Sequence, residues 1–139
     1  MHKLNIATLD KKWQEYDELL LHAAFQVLVD FMEKDSVDMV DWNAQPGTKA
    51  AWREISSLYK WWKKIRPRRK REEPKCPKGV HFPPFVPTGD GRGYTLDTSP
   101  EHNRWRAYSK KVTAFEDKCE IEDQENLKRL VEVRKYLWV

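Results

Sequence analysis

The residues richest in chemistry lie in "KWWKKIRPRRKR", Lys60 to Arg71, which holds eight Lys or Arg, two adjacent Trp, one Pro and no acid. Cations beside an aromatic ring suit a ligand that carries both a phosphate and a base. The ring stacks on the base, and the ammonium or guanidinium groups neutralise the phosphate. The same chemistry serves a single nucleotide or a whole strand. Neighbours on an α-helix point about 100° apart, so Trp61 and Trp62 do not share one face. Trp62 is in phase with Ile55, Leu58 and Ile65 and reads as core, which leaves Trp61 as the ring for a ligand. Lys60, Trp61, Lys64, Arg66, Arg68 and Arg69 are therefore candidate ligand-binding residues.

A second cluster is "RWRAYSKK", Arg104 to Lys111. Trp105 and Tyr108 share a helical face there, with Arg104, Arg106, Lys110 and Lys111 around them. Arg104, Trp105 and Tyr108 join the candidates. If the two helices pack together, two cationic clusters converge on a small anion pocket with aromatic walls. Both clusters also have a plainer reading, as a helix end with snorkelling cations and as an ordinary amphipathic helix. The three-glycine stretch "TGDGRGY", Thr88 to Tyr94, could approach a phosphate but lacks the Lys-Ser/Thr of a phosphate loop, so it reads as a turn.

Metal and catalytic signatures are weak. Cys76, His81, His102 and Cys119 are the conceivable zinc ligands, but no pair has metal-ligand spacing, so no metal and no cofactor is assigned. No nucleophile elbow occurs, and no catalytic residue is named. An enzyme is the lesser expectation, with His81 or His102 as the groups a hydrolase would use.

Four segments must position these residues. The first helix is expected over about 9–34, capped at Thr8 or Asp10. Its apolar stripe is wide, with Trp13, Tyr16, Leu20, Val27 and Phe31 on one track and Leu21, Phe25, Leu28 and Met32 on the next. Thr48 is expected to cap a second helix over about 48–65, which Pro67 ends. A basic and Pro-rich loop follows over about 66–98. Ser99-Pro100 then starts a helical region over about 99–137, either one long helix or two hinged near Glu122, with no Gly or Pro to separate them. The fold class is mainly α, a three- or four-helix bundle-like single domain with a long Pro/Gly-rich insert before the last helical region.

Composition agrees with one domain of this kind. The 139 residues include seven Trp and 40% hydrophobic residues, so the chain can bury a core rather than remain disordered. Two cysteines are too few for a disulfide scaffold. No apolar stretch reaches the roughly 18 residues of a membrane span, so no membrane partner is expected. The net charge of +4 conceals segregation: Lys60 to Arg71 carries +8, whereas Glu116 to Glu125 holds six acids against one Lys. The two runs can meet within the fold or across a homo-oligomer.

The segments "LLLHAAFQVLVDFMEKD", "VDWNAQPGTKAAWREISSLYKWWKKIRP" and "EDQENLKRLVEVRKYLWV", with the Pro-rich insert between the last two, resemble small accessory proteins of tailed bacteriophages. That group has no established active site to carry over. The resemblance implies expression in the host bacterial cytoplasm and an accessory, anti-defence role. Combined with the residues above, it gives an expected function: binding and sequestering a phosphorylated nucleotide-type immune signal. The alternatives are a basic module that binds nucleic acid or inhibits a host nuclease or defence complex, and a virion or assembly component.

Overall fold

The computed structural model describes residues 3–10, 12–35 and 37–137 and is mainly helical. Its contacts divide the chain into two compact units, Met1–Arg69 with Ile121–Val139, and Lys70–Glu120, where the sequence reads as one domain. Among the described residues no helix is long and apolar enough to cross a membrane.

In the first unit, α1 spans Tyr16–Lys34, starting later than the expected residue 9. Thr8 and Asp10 are occupied elsewhere. The Thr8 hydroxyl lies 2.6 Å from His22 Nδ1, and the Ala7 N–H donates to Gln26 Oε1 at 3.0 Å. His22 and Gln26 are buried in α1, and buried polar groups need partners, so the segment before the helix supplies them. Asp10 instead accepts from the Lys12 N–H and the Gln14 amide. Of the two apolar tracks, the one through Leu21, Phe25 and Leu28 is buried together with Phe31, whereas Trp13, Tyr16, Leu20 and Val27 are exposed.

Helix α2 spans Pro46–Lys60. Thr48 stands in its first turn rather than at the cap. Its hydroxyl accepts the Gln45 N–H at 3.3 Å and donates to the Gln45 carbonyl at 2.8 Å, and Pro46 fits the start because no N–H is needed there.

The helical path does not stop before Pro67, as the sequence predicts. Trp61–Ile65 forms a π turn in which the Arg66 N–H reaches back to the Trp61 carbonyl. A 3₁₀ turn, Arg66–Arg68, and the short helix α3, Arg69–Glu72, follow. Pro67 lies in the first turn of that 3₁₀ segment, where its missing N–H costs nothing. "RPRRKR" is thus helical rather than a loop-borne arm.

Helix α4 runs unbroken over Asn103–Val133, entered from a 3₁₀ turn at Pro100–His102 and left by another at Arg134–Tyr136. Its C-terminal part contributes Leu130 and Val133 to the core that Phe25, Leu28, Ile55, Leu58, Trp61 and Trp62 also form.

The second unit contains a hairpin in place of a structureless insert. Strand β1, Phe85–Pro87, pairs antiparallel with β2, Tyr94–Leu96, in the register Phe85↔Leu96, Val86↔Thr95, Pro87↔Tyr94. "TGDGRGY" makes its turn. The Thr88 N–H donates to the Gly93 carbonyl, and Gly91 takes a positive φ of 69° that other residues rarely adopt. Pro83, two residues before β1, is fully buried.

Candidate anion-binding cleft

The nine candidate residues divide between the units. Lys60, Trp61, Lys64, Arg66, Arg68 and Arg69 belong to the first, and Arg104, Trp105 and Tyr108 to the second. Each group is taken by itself.

In the first unit, three of the six are committed internally. Trp61 is 6% exposed, which corrects the expectation that its ring is open to a ligand. The π turn is the reason: it breaks the 100° spacing and lets both Trp61 and Trp62 reach the core. Phe25 stacks on Trp62 at 4.5 Å and 11°, and meets Trp61 at 5.3 Å. The Trp61 indole N–H donates to Glu122 Oε1.

Arg66 is bidentate to Asp123, Nε to Oδ1 and Nη2 to Oδ2, both at 2.9 Å. Arg69 reaches Glu122 at 3.1 Å and Asp123 at 2.8 Å. Both guanidinium groups also lie over tryptophan faces, Arg66 over Trp62 at 4.9 Å and Arg69 over Trp61 at 5.7 Å. The acidic run thus answers the basic run inside this unit. Partly buried, charge-assisted pairs of this kind are stronger than surface pairs, so these arginines are not available to an external anion.

Lys60, Lys64 and Arg68 are exposed and, among the described residues, in no ion pair. Lys63, by contrast, pairs with Glu33 at 2.9 Å. That ammonium, and then the Tyr59 hydroxyl, hold the Glu33 carboxyl below its ordinary value.

The second unit holds a cleft of about 390 Å³. Arg104, Ala107, Tyr108 and Lys111 form one wall. Their spacing of three and four places them along one face of α4. Pro74, Lys75 and Pro77 form the other wall. Two prolines stiffen that segment and remove two backbone N–H groups, so Lys75 is presented on a constrained chain. Among the described residues no carboxylate lines the cleft, and the side chains of Lys75, Arg104 and Lys111 are in no ion pair or hydrogen bond. Three uncompensated cations and one phenol ring make a concave site suited to an anion with a planar group.

Trp105 is placed differently. It meets Phe82 edge-on at 4.9 Å and lines a separate depression with His81, Glu101, His102 and Arg104. Arg106 turns inward, donating to the Ser99 carbonyl at 3.0 Å and to Asn103. Lys111 stands seven residues after Arg104 in the same basic and aromatic stretch, a spacing visible in the sequence. Lys75 has no such signal, because its approach to α4 depends on the path of the chain.

Among the described residues, one group has metal-ligand character: Asp97, Glu101 and His102. The cysteines of the conceivable zinc set take no part in it, and the exposed Cys76 thiol instead lies 3.3 Å from the Val80 carbonyl.

Comparisons with protein-family models, with curated proteins and with solved structures find no match to this chain.

Proposed function

We propose that the chain binds a phosphorylated nucleotide-type ligand in the cleft of the second unit, holding it rather than transforming it. The observation that carries this reading is the meeting of Lys75, Arg104, Lys111 and the Tyr108 ring in one cleft without a carboxylate. The volume of about 390 Å³ suits a small ligand rather than a duplex. In this reading Arg104 and Lys111 take the phosphate, Lys75 closes over it, and Tyr108 stacks on the base. The setting is the one the resemblance implies: an accessory protein of a tailed phage that removes a nucleotide signal in the host cytoplasm.

Calorimetry with a panel of linear and cyclic nucleotides and with inorganic phosphate tests it. Tyr108→Ala should weaken nucleotide binding about fivefold or more and leave phosphate binding largely unchanged, since a stacked base contributes roughly 1–3 kcal/mol. Arg104→Ala and Lys111→Ala should weaken both. Native mass spectrometry should return the ligand intact. A panel that gives no binding, or a triple variant that binds as the parent does, overturns the proposal.

A second reading has its own observation. Lys60, Lys64 and Arg68 are exposed and unpaired among the described residues, which suits a nucleic-acid backbone. Strand binding would fall steeply with salt, and the slope would lessen when these three are neutralised.

A further inference from the structure

We propose that Asp97, Glu101 and His102 form a binding site for a divalent transition-metal ion of the zinc type. Asp97 Oδ2 lies 3.2 Å from His102 Nε2, and Glu101 Oε1 lies 3.6 Å from the same nitrogen. The three ligand atoms all fall within 4.8 Å of one another. Two carboxylate oxygens therefore converge on one ring nitrogen, which carries at most one proton to share between them. A cation among the three satisfies all of them at once.

The spacing also fits the ion. Zinc binds imidazole nitrogen and carboxylate oxygen at about 2.0–2.2 Å, so the edge of a tetrahedral site is about 3.3 Å. The two separations from His102 bracket that edge.

The site is held from behind as a metal site requires. Asp97 Oδ1 accepts the Ser99 N–H at 2.9 Å and the Ser99 hydroxyl at 2.5 Å, which leaves Oδ2 directed at His102. Hydrogen bonds of this kind orient a ligating carboxylate. The Asp97 and His102 side chains are recessed, at 24% and 19% exposure, whereas Glu101 at 72% stands on the solvent side, where its Oε1 also lies 3.3 Å from the Ser99 hydroxyl. Glu101 and His102 line a depression of about 240 Å³, and His81 lines it too without belonging to the group of converging ligand atoms. Imidazole with carboxylate favours zinc, cobalt or nickel over magnesium or calcium, which prefer all-oxygen shells.

Full-length, tag-free protein, stripped with a chelator, is titrated with zinc by calorimetry and with cobalt by visible absorption. One saturable equivalent is expected, with ligand-field bands for cobalt. His102→Ala and Asp97→Asn should each weaken binding about tenfold or more, whereas Cys76→Ser should leave it unchanged. Glu101→Gln, at an exposed position that the fold does not need, should weaken it several-fold with an unaltered circular dichroism spectrum. The proposal fails if no one-to-one binding occurs, if neither His102→Ala nor Glu101→Gln weakens it, or if Cys76→Ser abolishes it.

Discussion

Replacing Asp123 with Asn is the sharpest perturbation available in the first unit, because one carboxylate there holds two arginines. It contacts Arg66 through both oxygens at 2.9 Å and Arg69 at 2.8 Å. Asp123 is 15% exposed, Arg66 20% and Arg69 16%. Stripping a partner from a fully buried pair costs about 3–5 kcal/mol, and from an exposed pair about 0–1 kcal/mol. At this intermediate burial, with Glu122 still able to serve Arg69, a loss of about 2 kcal/mol is expected. Asn keeps the shape and one acceptor, so the loss reports charge rather than volume. Urea denaturation followed by tryptophan fluorescence is the suitable assay, since Trp61 and Trp62 lie beneath the two guanidinium groups. The midpoint should fall with little change in slope. Arg66→Met on the parent and on the Asn variant completes a cycle whose coupling should exceed about 1 kcal/mol. A loss below about 0.5 kcal/mol would mean that the arginines are only loosely held, and it would return Arg66 and Arg69 to the list of residues open to an external anion.

Two further outcomes follow from the same unit. Burial, and next the charge of Arg66, hold the His22 imidazole below its ordinary value of 6.5, against the opposing pull of Glu18 and Asp123. Because the unfolded chain then binds the proton more readily, the stability from His22 is present above about pH 6.5 and is lost as pH falls below it; in urea titrations from pH 7.5 to 5, His22→Asn should remove that part of the slope. Phe25→Ala, at a site with no exposure where the ring stacks on Trp62, should cost about 3–5 kcal/mol by the same denaturation assay; a cost below about 1 kcal/mol would contradict the packing.

Much of the helical content was legible because it rests on local physics. No Gly or Pro interrupts 101–137, and α4 is correspondingly continuous from Asn103 to Val133. Ser99-Pro100 marks its entrance through the 3₁₀ turn. The hairpin was hidden by composition. Pro87 within "FVP" argues against a strand, yet a two-stranded sheet has only edges, where a missing N–H is tolerated. Helix α1 starts later than its local cap signal implies because Thr8 has two possible uses. A cap is a local bond, but the buried His22 offers a partner that only the folded chain brings within reach.

The candidate site divides along the same line. Sequence alone determined that the chain is mainly helical, that cations and aromatic rings cluster at Lys60–Arg71 and Arg104–Lys111, and that an acidic run stands apart at Glu116–Glu125. These follow from side-chain type and from periods of three and four residues. Tertiary structure decided which of those charges are already neutralised. Arg66 and Arg69 meet Asp123 and Glu122 from more than fifty residues away, and Trp61 is turned inward by a single π turn whose hydrogen bonds no local propensity dictates. Lys75 and Lys111, by contrast, line a cleft and are in no ion pair among the described residues. A charge is free or spent according to its neighbours in space, and a sequence orders neighbours only along the chain.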